Sequence, residues 1–306
     1  MQPLVSIVTP SFNQAQYLEQ TIRSVLDQNY PRIEYFIIDG GSTDGSVEII
    51  KKYESKLAGW VSEKDQGQAD AISKGFARCT GEIVAWINSD DYYLPNAIRS
   101  AAEALINNPA AGLVYGGTIA VDETGRTIHL PKYDQWTLED LLTFKIIGQP
   151  AVFMRRSVLE QVGFLDLSYH FLLDHQLWIR MASRAPMIYV SQRWAAGRFH
   201  AQAKNVAQAA KFGDEAYRIL RWAETQPEIG ARLQRVRSQA WAGAHRINAR
   251  YLLDADHYLP AFKSYMKSLF THAPTALVEW NRMLFSALAL IGFGKLKDLY
   301  YKLKRG

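Results

Sequence analysis

The sequence has a single cysteine, Cys79, among 306 residues. That excludes an internal disulfide framework and a zinc site built from several thiolates, and it suits a reducing compartment. No apolar run reaches the roughly 18–20 residues needed to cross a bilayer. The first residues, Met1-Gln2-Pro3-Leu4-Val5, carry no basic segment leading into an apolar stretch, so no signal peptide is expected. Neither G-x-G-x-x-G nor a Gly-Lys-Ser/Thr phosphate loop occurs, which removes the two commonest glycine-based nucleotide cradles. Residues 204–306 show no internal repeat. What remains is 48% hydrophobic and 21% charged, enough for one large or two modest domains around a real core.

Charge is unevenly placed. Up to residue 200 there are 18 Lys and Arg against 22 Asp and Glu, and from 201 onward 17 against 8. The pI near 9.1 therefore belongs to the last third of the chain.

The stretch that organises the rest is Gly81 to Asp91. Glu82 to Ile87 reads as a buried strand whose continuous apolar run, Ile83 to Ile87, suits a parallel sheet covered on both faces, and it leads into Asp90-Asp91. Pro95 is placed to open the next helix, which runs to Asn107. Carboxylates at the C-terminal end of such a strand stand where open α/β sheets bind ligands. Two adjacent like charges call for a cation or several donors, and their oxygens suit Mg²⁺ or Mn²⁺. Taken alone, the pair reads equally as a solvated turn or a helix cap.

Upstream, Val5 to Val8 reads as a first strand stopped by Thr9-Pro10-Ser11, followed by a helix carrying Tyr17, Leu18, Ile22 and Val25 through Asp27. Ile33 to Ile38 is a second strand ending at Asp39 and the loop Gly40-Gly41-Ser42-Thr43-Asp44-Gly45, whose polar residues can cap the next helix. Trp60-Val61-Ser62 is a third strand, followed by Asp65 and a helix with Ala69, Ile72 and Phe76. This alternation predicts a parallel, doubly wound sheet with helices on both faces. Ser11, Asn13, Asp39, Asp65, Asp90 and Asp91 then gather along one sheet edge.

Together these segments resemble glycosyltransferase family 2, the inverting nucleotide-sugar transferases of GT-A fold. The resemblance rests on Ile7-Val8-Thr9-Pro10-Ser11-Phe12-Asn13, Ile38-Asp39-Gly40-Gly41-Ser42-Thr43-Asp44-Gly45-Ser46 and Asn88-Ser89-Asp90-Asp91, with Glu63 to Gly75 between the last two. It covers roughly residues 4 to 200. It implies that Thr9, Pro10, Ser11, Asn13 and Asp39 hold the nucleotide base, Asp39 accepting from a uracil-like N–H. Asp65 would line that pocket, Asp90 would bind the ribose, and Asp91 would ligate a divalent cation, Mn²⁺ or Mg²⁺, on the diphosphate. Many members have Asp where Asn88 stands, so this chain brings two acidic groups rather than three.

Beyond Pro109, Gly112 to Asp122 and Thr127 to Leu130 read as strands around a turn at Glu123-Thr124-Gly125, with His129 a surface strand residue. A short helix from Trp136 to Phe144 follows, and Gly148 to Arg156 resembles the family's strand that packs under the acceptor site. Leu172-Leu173-Asp174-His175-Gln176-Leu177-Trp178-Ile179-Arg180 begins a helix, and a carboxylate in its first turn reads as a cap favoured by the helix dipole. The resemblance aligns Leu177-Trp178-Ile179-Arg180 with the family's Leu-Trp-Leu-Arg and so places Asp174 on its catalytic base. Leu173 replaces the Glu that commonly precedes it. Arg198-Phe199-His200 matches Arg-x-His, which puts His200 near the metal and diphosphate.

The expected organisation is a GT-A catalytic domain over 1–203 and a basic helical region over 204–306, without metal-ligand spacing among His245, His257 and His272. Leu277, Trp280, Leu284, Ala287, Leu288 and Ile291 recur there at helical spacing. The apolar run Met283–Phe293 is too short to span a bilayer, yet Lys295, Lys297, Lys302, Lys304 and Arg305 follow it. That pattern reads as a helix packed on the catalytic domain with a solvated basic end, or as a peripheral contact with an anionic cytoplasmic membrane face beside a lipid-linked acceptor. The function implied is metal-dependent, inverting transfer of a sugar from a nucleoside diphosphate, UDP by family habit, to an acceptor hydroxyl in cell-surface polysaccharide or glycolipid synthesis. The other readings are a sugar-phosphate nucleotidyltransferase, which lacks its Gly-rich basic loop here, and a non-catalytic nucleotide-sugar-binding protein, which would have lost Asp91 or Asp174. A nucleic-acid-binding module would explain the basic third, but no recognised motif accompanies that charge, so no nucleic-acid partner is expected.

Overall fold

The computed structural model describes residues 2–200 and 208–293. Its first strands, β1 (Val5–Ser11), β2 (Ile33–Asp39), β3 (Gly59–Ser62) and β4 (Ile83–Trp86), lie parallel, with β1 between β2 and β4. All seven residues of β1 are buried, so helices cover both sheet faces. Parity decides which face each residue serves. Val5, Ile7, Ile83 and Ala85 pack with Leu18, Ile22 and Val25 of α1 (Ala15–Leu26) and with Ile98, Ala101 and Leu105 of α4 (Ala97–Asn107). On the opposite face Val8 lies under α3 (Gln68–Phe76), so closely that a Cβ on Gly75 would come within 2.3 Å of a Val8 methyl. Trp86, level with Val8, meets Phe76 edge-on at 5.9 Å and stacks on Trp178 of α7 (Leu173–Arg184) at 5.2 Å. Between β2 and β3 the chain forms α2 (Ser46–Tyr53).

Past β4 the sheet becomes mixed. The antiparallel β8 (Val152–Arg155) is followed by β6 (Leu113–Val121), β9 (Met187–Arg198) and the two-residue β5 (Tyr92–Tyr93), while β7 (Thr127–His129) pairs with β6. Six of the nine strands share one direction, so the sheet is mostly parallel, as expected. Helix α6 (Arg156–Val162) follows β8, and Arg180 of α7 donates to the carbonyls of Val162, Gly163 and Phe164 at its end. That arginine of the Leu-Trp-Ile-Arg motif is a structural clamp.

Several boundaries differ from the sequence reading. Strand β1 continues through Pro10 to Ser11, because pairing with β4 ends at Val8–Trp86 and Pro10 meets no ladder on that flank. Pro95 does not open α4. Leu94 N–H donates to the Trp194 carbonyl, the chain stays extended to that point, and Asn96 turns it at φ 65° before the helix begins at Ala97. Of the strand expected over 148–156, Val152–Arg155 forms β8, whereas Gln149–Ala151 before it is a 3₁₀ turn. Strands β5 and β9 had no counterpart in that reading.

Two units are distinguished, residues 1–137 with 147–198, and residues 138–146 with 199–306. The described helices of the second unit are α5 (Leu138–Leu142), α8 (Phe212–Thr225), α9 (Pro227–Arg235), α10 (Arg237–Asp254), α11 (Tyr258–Thr271), α12 (Ala273–Leu277) and α13 (Trp280–Leu290). One of its cores joins Ala249, Leu253, Ala261, Tyr265 and Phe285. Beside it the buried Glu279 accepts from Arg246 at 2.8 Å, from Arg250, and from the Tyr265 hydroxyl at 2.9 Å. Among the described residues no helix is long and apolar enough to cross a membrane.

Candidate active site at the C-terminal edge of the sheet

Strand β4 ends at Trp86, and the next five residues form the centre of the site. The Thr21 hydroxyl of α1 donates to the carbonyls of Ser89 (3.0 Å) and Asp91 (2.6 Å), fixing the turn from below. Asp91 is buried. Its Oδ1 accepts the backbone N–H of Arg198 at 2.9 Å and its Oδ2 accepts from Asn88 at 3.1 Å. Burial, then the Asp90 charge, pushes the Asp91 carboxyl well above the usual carboxylate range, against the opposing pull of Arg198 and Asn88.

Asn88 is the centre of an amide chain. Its carbonyl accepts from Gln68 of α3 at 2.7 Å, and its NH₂ reaches both Asp91 and Gln149 at 3.1 Å. Gln149 in turn donates to the Trp86 carbonyl at 2.9 Å. An aspartate at position 88 could not donate to Asp91 and would add a third negative charge, so the amide fits a two-carboxylate site. Sequence patterns carry no signal for Gln68 or Gln149, which sit on separate elements.

Arg198 was named only as part of a tripeptide, yet its side chain holds the site together. Its guanidinium donates to the carbonyls of Asp90 (2.9 Å), Asp122 (3.2 Å) and Glu123 (2.9 Å) and to Gln20 Oε1 (2.6 Å). It also lies over the rings of Tyr17 and Tyr92, 4.6 and 5.6 Å from their centroids. The Asp90–Asp91 turn, the β6–β7 turn and α1 are thereby joined through one buried cation.

The nucleotide-side loops form a second group. Asn13, at φ 50°, accepts from Thr43 N–H at 3.0 Å and donates its own N–H to the Ser42 hydroxyl at 2.8 Å. Ala15 N–H donates to Asp44 at 2.9 Å, so the loops after β1 and β2 are sewn together. Asp39 is fully buried and accepts four hydrogen bonds, from the amides of Gly41 and Ser42 and the hydroxyls of Ser42 and Ser62. Three fall on Oδ2 and one on Oδ1, which keeps acceptor capacity on Oδ1. Asp65 packs over this loop. A Cβ on Gly40 would come within 2.6 Å of its carboxylate, so only glycine permits the approach. Phe12 lies 59% exposed beside Gly40, an open aromatic face that the sequence reading passed over. Ser11 is buried and its hydroxyl has no hydrogen-bond partner among the described residues. Pro10 is buried beside it, and the Thr9 hydroxyl is turned into the core against Tyr35 OH at 2.8 Å. Thr9 therefore offers no side chain to this edge.

Asp174 lies in the first turn of α7, half-buried, and its carboxylate accepts the His175 N–H at 2.7 Å. Trp178, one helical turn further on, lies on the same helix face and stacks on Trp86. The N-terminal end of α7 thus lies about 6 Å along the helix axis from Trp178, the residue that stacks on the tryptophan ending β4. His200 is buried and groups with the second unit. Cys79 is buried too, and burial pushes its thiol up to about 12, which excludes it as a nucleophile.

No cluster of three or more His, Cys, Asp or Glu that could hold a metal occurs among the described residues. Asp91 nonetheless fits a divalent cation completed by substrate oxygens. Each carboxylate oxygen has one N–H partner and further acceptor capacity.

The chain is 34% identical over 172 residues to a Bacillus subtilis protein named for teichuronic acid biosynthesis, the glycosyltransferase TuaG, covering 54% of this chain and 66% of that one. The chain thus spans just under two thirds of that relative. It is 31% identical over 183 residues to a glycosyltransferase of Mycobacterium tuberculosis, covering 59% and 69%. Among solved structures, the mannosyltransferase PcManGT from Pyrobaculum calidifontis, in complex with GDP-Man and Mn²⁺, superposes with TM-score 0.64 at 18% identity, over 99% of this chain and 85% of that one. S. aureus TarS 1–349 in complex with UDP-GlcNAc gives 0.60 at 16%, over 89% and 90%. These likenesses establish the GT-A fold. The profile of glycosyl transferase family 2 matches residues 6–163, and the chain is a member of that family.

Proposed function

We propose that this glycosyltransferase moves a sugar from a nucleoside diphosphate to an acceptor hydroxyl with inversion at the anomeric carbon. The observation that supports the reading is the gathering of the Asp90–Asp91 turn and the sewn loops holding Asp39 and Asp65 at the C-terminal ends of the parallel strands β1 to β4, with Asp174 one helical turn from the Trp178 that stacks on Trp86. Phe12 offers its exposed ring to the base, and the unpartnered Ser11 hydroxyl and the remaining acceptor capacity of Asp39 offer polar contacts there. Asp90 takes the ribose hydroxyls and Asp91 holds a divalent cation. When bound, that cation neutralises the departing diphosphate. Asp174 accepts the proton of the acceptor hydroxyl as it attacks, a contribution of about 10²–10⁴-fold. Attack from the face opposite the diphosphate forms the new glycosidic bond as the old one breaks, with no covalent sugar–protein intermediate. UDP-, TDP- and GDP-sugars are the candidate donors. The complexes of the structural neighbours and the name of the B. subtilis relative support a nucleotide sugar and a cell-surface polysaccharide as the substrate classes.

A thermal-shift panel of nucleotide sugars tests the donor. A true donor at about 100 Kd adds roughly 2.7 kcal/mol of stability. A panel in which no nucleotide or nucleotide sugar raises Tm would defeat the reading.

A further inference from the structure

The second unit exposes an apolar stripe that a helix in a well-filled core would hide. Leu277, Trp280, Leu284, Leu288 and Ile291 follow one another at intervals of three or four residues, and all five are exposed, Trp280 at 60% and Ile291 at 71%. The opposite side of α13 is the buried one, with Phe285, Ser286 and Ala289 inward. Glu279 anchors the start of that helix through Arg246 and Arg250, so Trp280, Leu284 and Leu288 are held outward on a fixed helix, with Leu277 at the end of α12 before it and Ile291 just past its end. The helical periodicity noted in the sequence is real, but much of it marks the outer face. Of fifteen exposed large hydrophobic residues among those described, ten lie from Leu259 onward. Apolar surface concentrated in this way signals an interaction site.

Charge selects the partner. Residues 258–306 contain eight Lys and Arg against two acidic residues. Five of the eight (Lys295, Lys297, Lys302, Lys304 and Arg305) follow the stripe in sequence and lie outside the described residues. On α11, Lys263 and Lys267 line a groove of about 470 Å³ together with Phe262, Met266 and Phe270. A second copy would bring like charge against like, whereas an anionic bilayer offers opposite charge and an apolar interior. Tryptophan on such a face prefers the headgroup region.

We infer that the Leu277–Trp280–Leu284–Leu288–Ile291 stripe is a peripheral membrane surface that inserts shallowly into a bilayer rich in anionic lipid. The stripe lies in a unit separate from the Asp90–Asp91 edge, and the inference does not depend on the transfer reaction. If transfer takes place as proposed, the surface favours a lipid-linked acceptor.

The test is co-sedimentation of the full chain with phosphatidylglycerol-containing vesicles and with pure phosphatidylcholine vesicles at low salt. The wild-type chain is expected to partition onto the anionic vesicles at least about tenfold more strongly. The Leu284→Asp/Leu288→Asp variant alters exposed positions, so it should keep the wild-type Tm and donor-induced shift while losing at least about tenfold in vesicle binding. Absence of wild-type binding, or equal binding by the variant, would overturn the inference. So would light scattering that finds a wild-type dimer which the variant converts to monomer, because a second copy would then occupy the stripe.

Discussion

The backbone N–H of Arg198 donates to Oδ1 of Asp91 across 2.9 Å, joining the last residue of β9 to the turn that follows β4. The side chain of the same arginine grips the Asp90 carbonyl and the β6–β7 turn. The position of the acidic pair is therefore a property of the mixed half of the sheet as well as of the loop that carries it.

Arg198→Met is expected to lower stability by about 1–3 kcal/mol. It leaves the carbonyls of Asp90, Asp122 and Glu123 without their charged donor, and because these residues are half-buried or exposed, water makes up part of the loss. It also removes the cation nearest Asp90 and Asp91, so donor affinity should fall. Arg198→Lys keeps the charge but not the fork and should fall between the two. Calorimetry of the free proteins and donor titrations check both effects, and an Arg198→Met protein with unchanged Tm would contradict the assigned role.

Asp174→Asn keeps the shape and removes the basicity. Donor binding should persist while turnover at saturation falls by about 10²-fold or more. Stability should change by only about 0.3–1 kcal/mol, the ordinary worth of a carboxylate at a helix N-terminus. Single-turnover kinetics and a donor titration on the same preparation read out the two quantities. Loss of donor affinity with an unchanged rate would make Asp174 structural.

Acid should weaken the second unit first at Glu279. Burial raises its proton affinity, but Arg250 and Arg246 outweigh that and hold the carboxyl at about 2, below its ordinary 4.5. A depressed carboxyl contributes stability above its unfolded value, and that contribution disappears as pH falls from about 4.5 towards 2, about 3 kcal/mol in all. Glu279→Gln should remove this pH dependence and cost about 3–5 kcal/mol at neutral pH, since it leaves two arginines without their partner. Acid titration of Tm for both proteins checks it.

The parallel half of the sheet was legible because Val5, Ile7, Ile37, Val84 and their neighbours are apolar on both faces and end in loops rich in Asp, Ser and Gly. The closing half was not. Strand β9 mixes Ser191, Gln192 and Arg193 with apolar residues, because one strand alternately serves the core, solvent and the Asp90–Asp91 edge. Two residues, Tyr92 and Tyr93, are too few for any strand period, and only their pairing with Ala195 and Ala196 makes them one. The acidic pair and Asp174 were readable as motif residues, whereas Gln68, Gln149 and the Arg198 side chain acquire their roles from long-range contacts. Thr9 fits the motif by position, yet its hydroxyl belongs to the core with Tyr35. On α13, periodicity identified the helix but could not say which of its two apolar sides meets the core.

The central claim is that Asp91 presents a divalent cation to a nucleoside diphosphate at the end of β4. Its most direct measurement is the donor-induced rise in Tm with and without Mn²⁺, in the wild-type protein and in Asp91→Asn. The account predicts that Mn²⁺ increases the donor shift in the wild type by at least about 1.4 kcal/mol, a tenfold gain in affinity, and leaves the shift in Asp91→Asn unchanged. An equal Mn²⁺ enhancement in both proteins would contradict it.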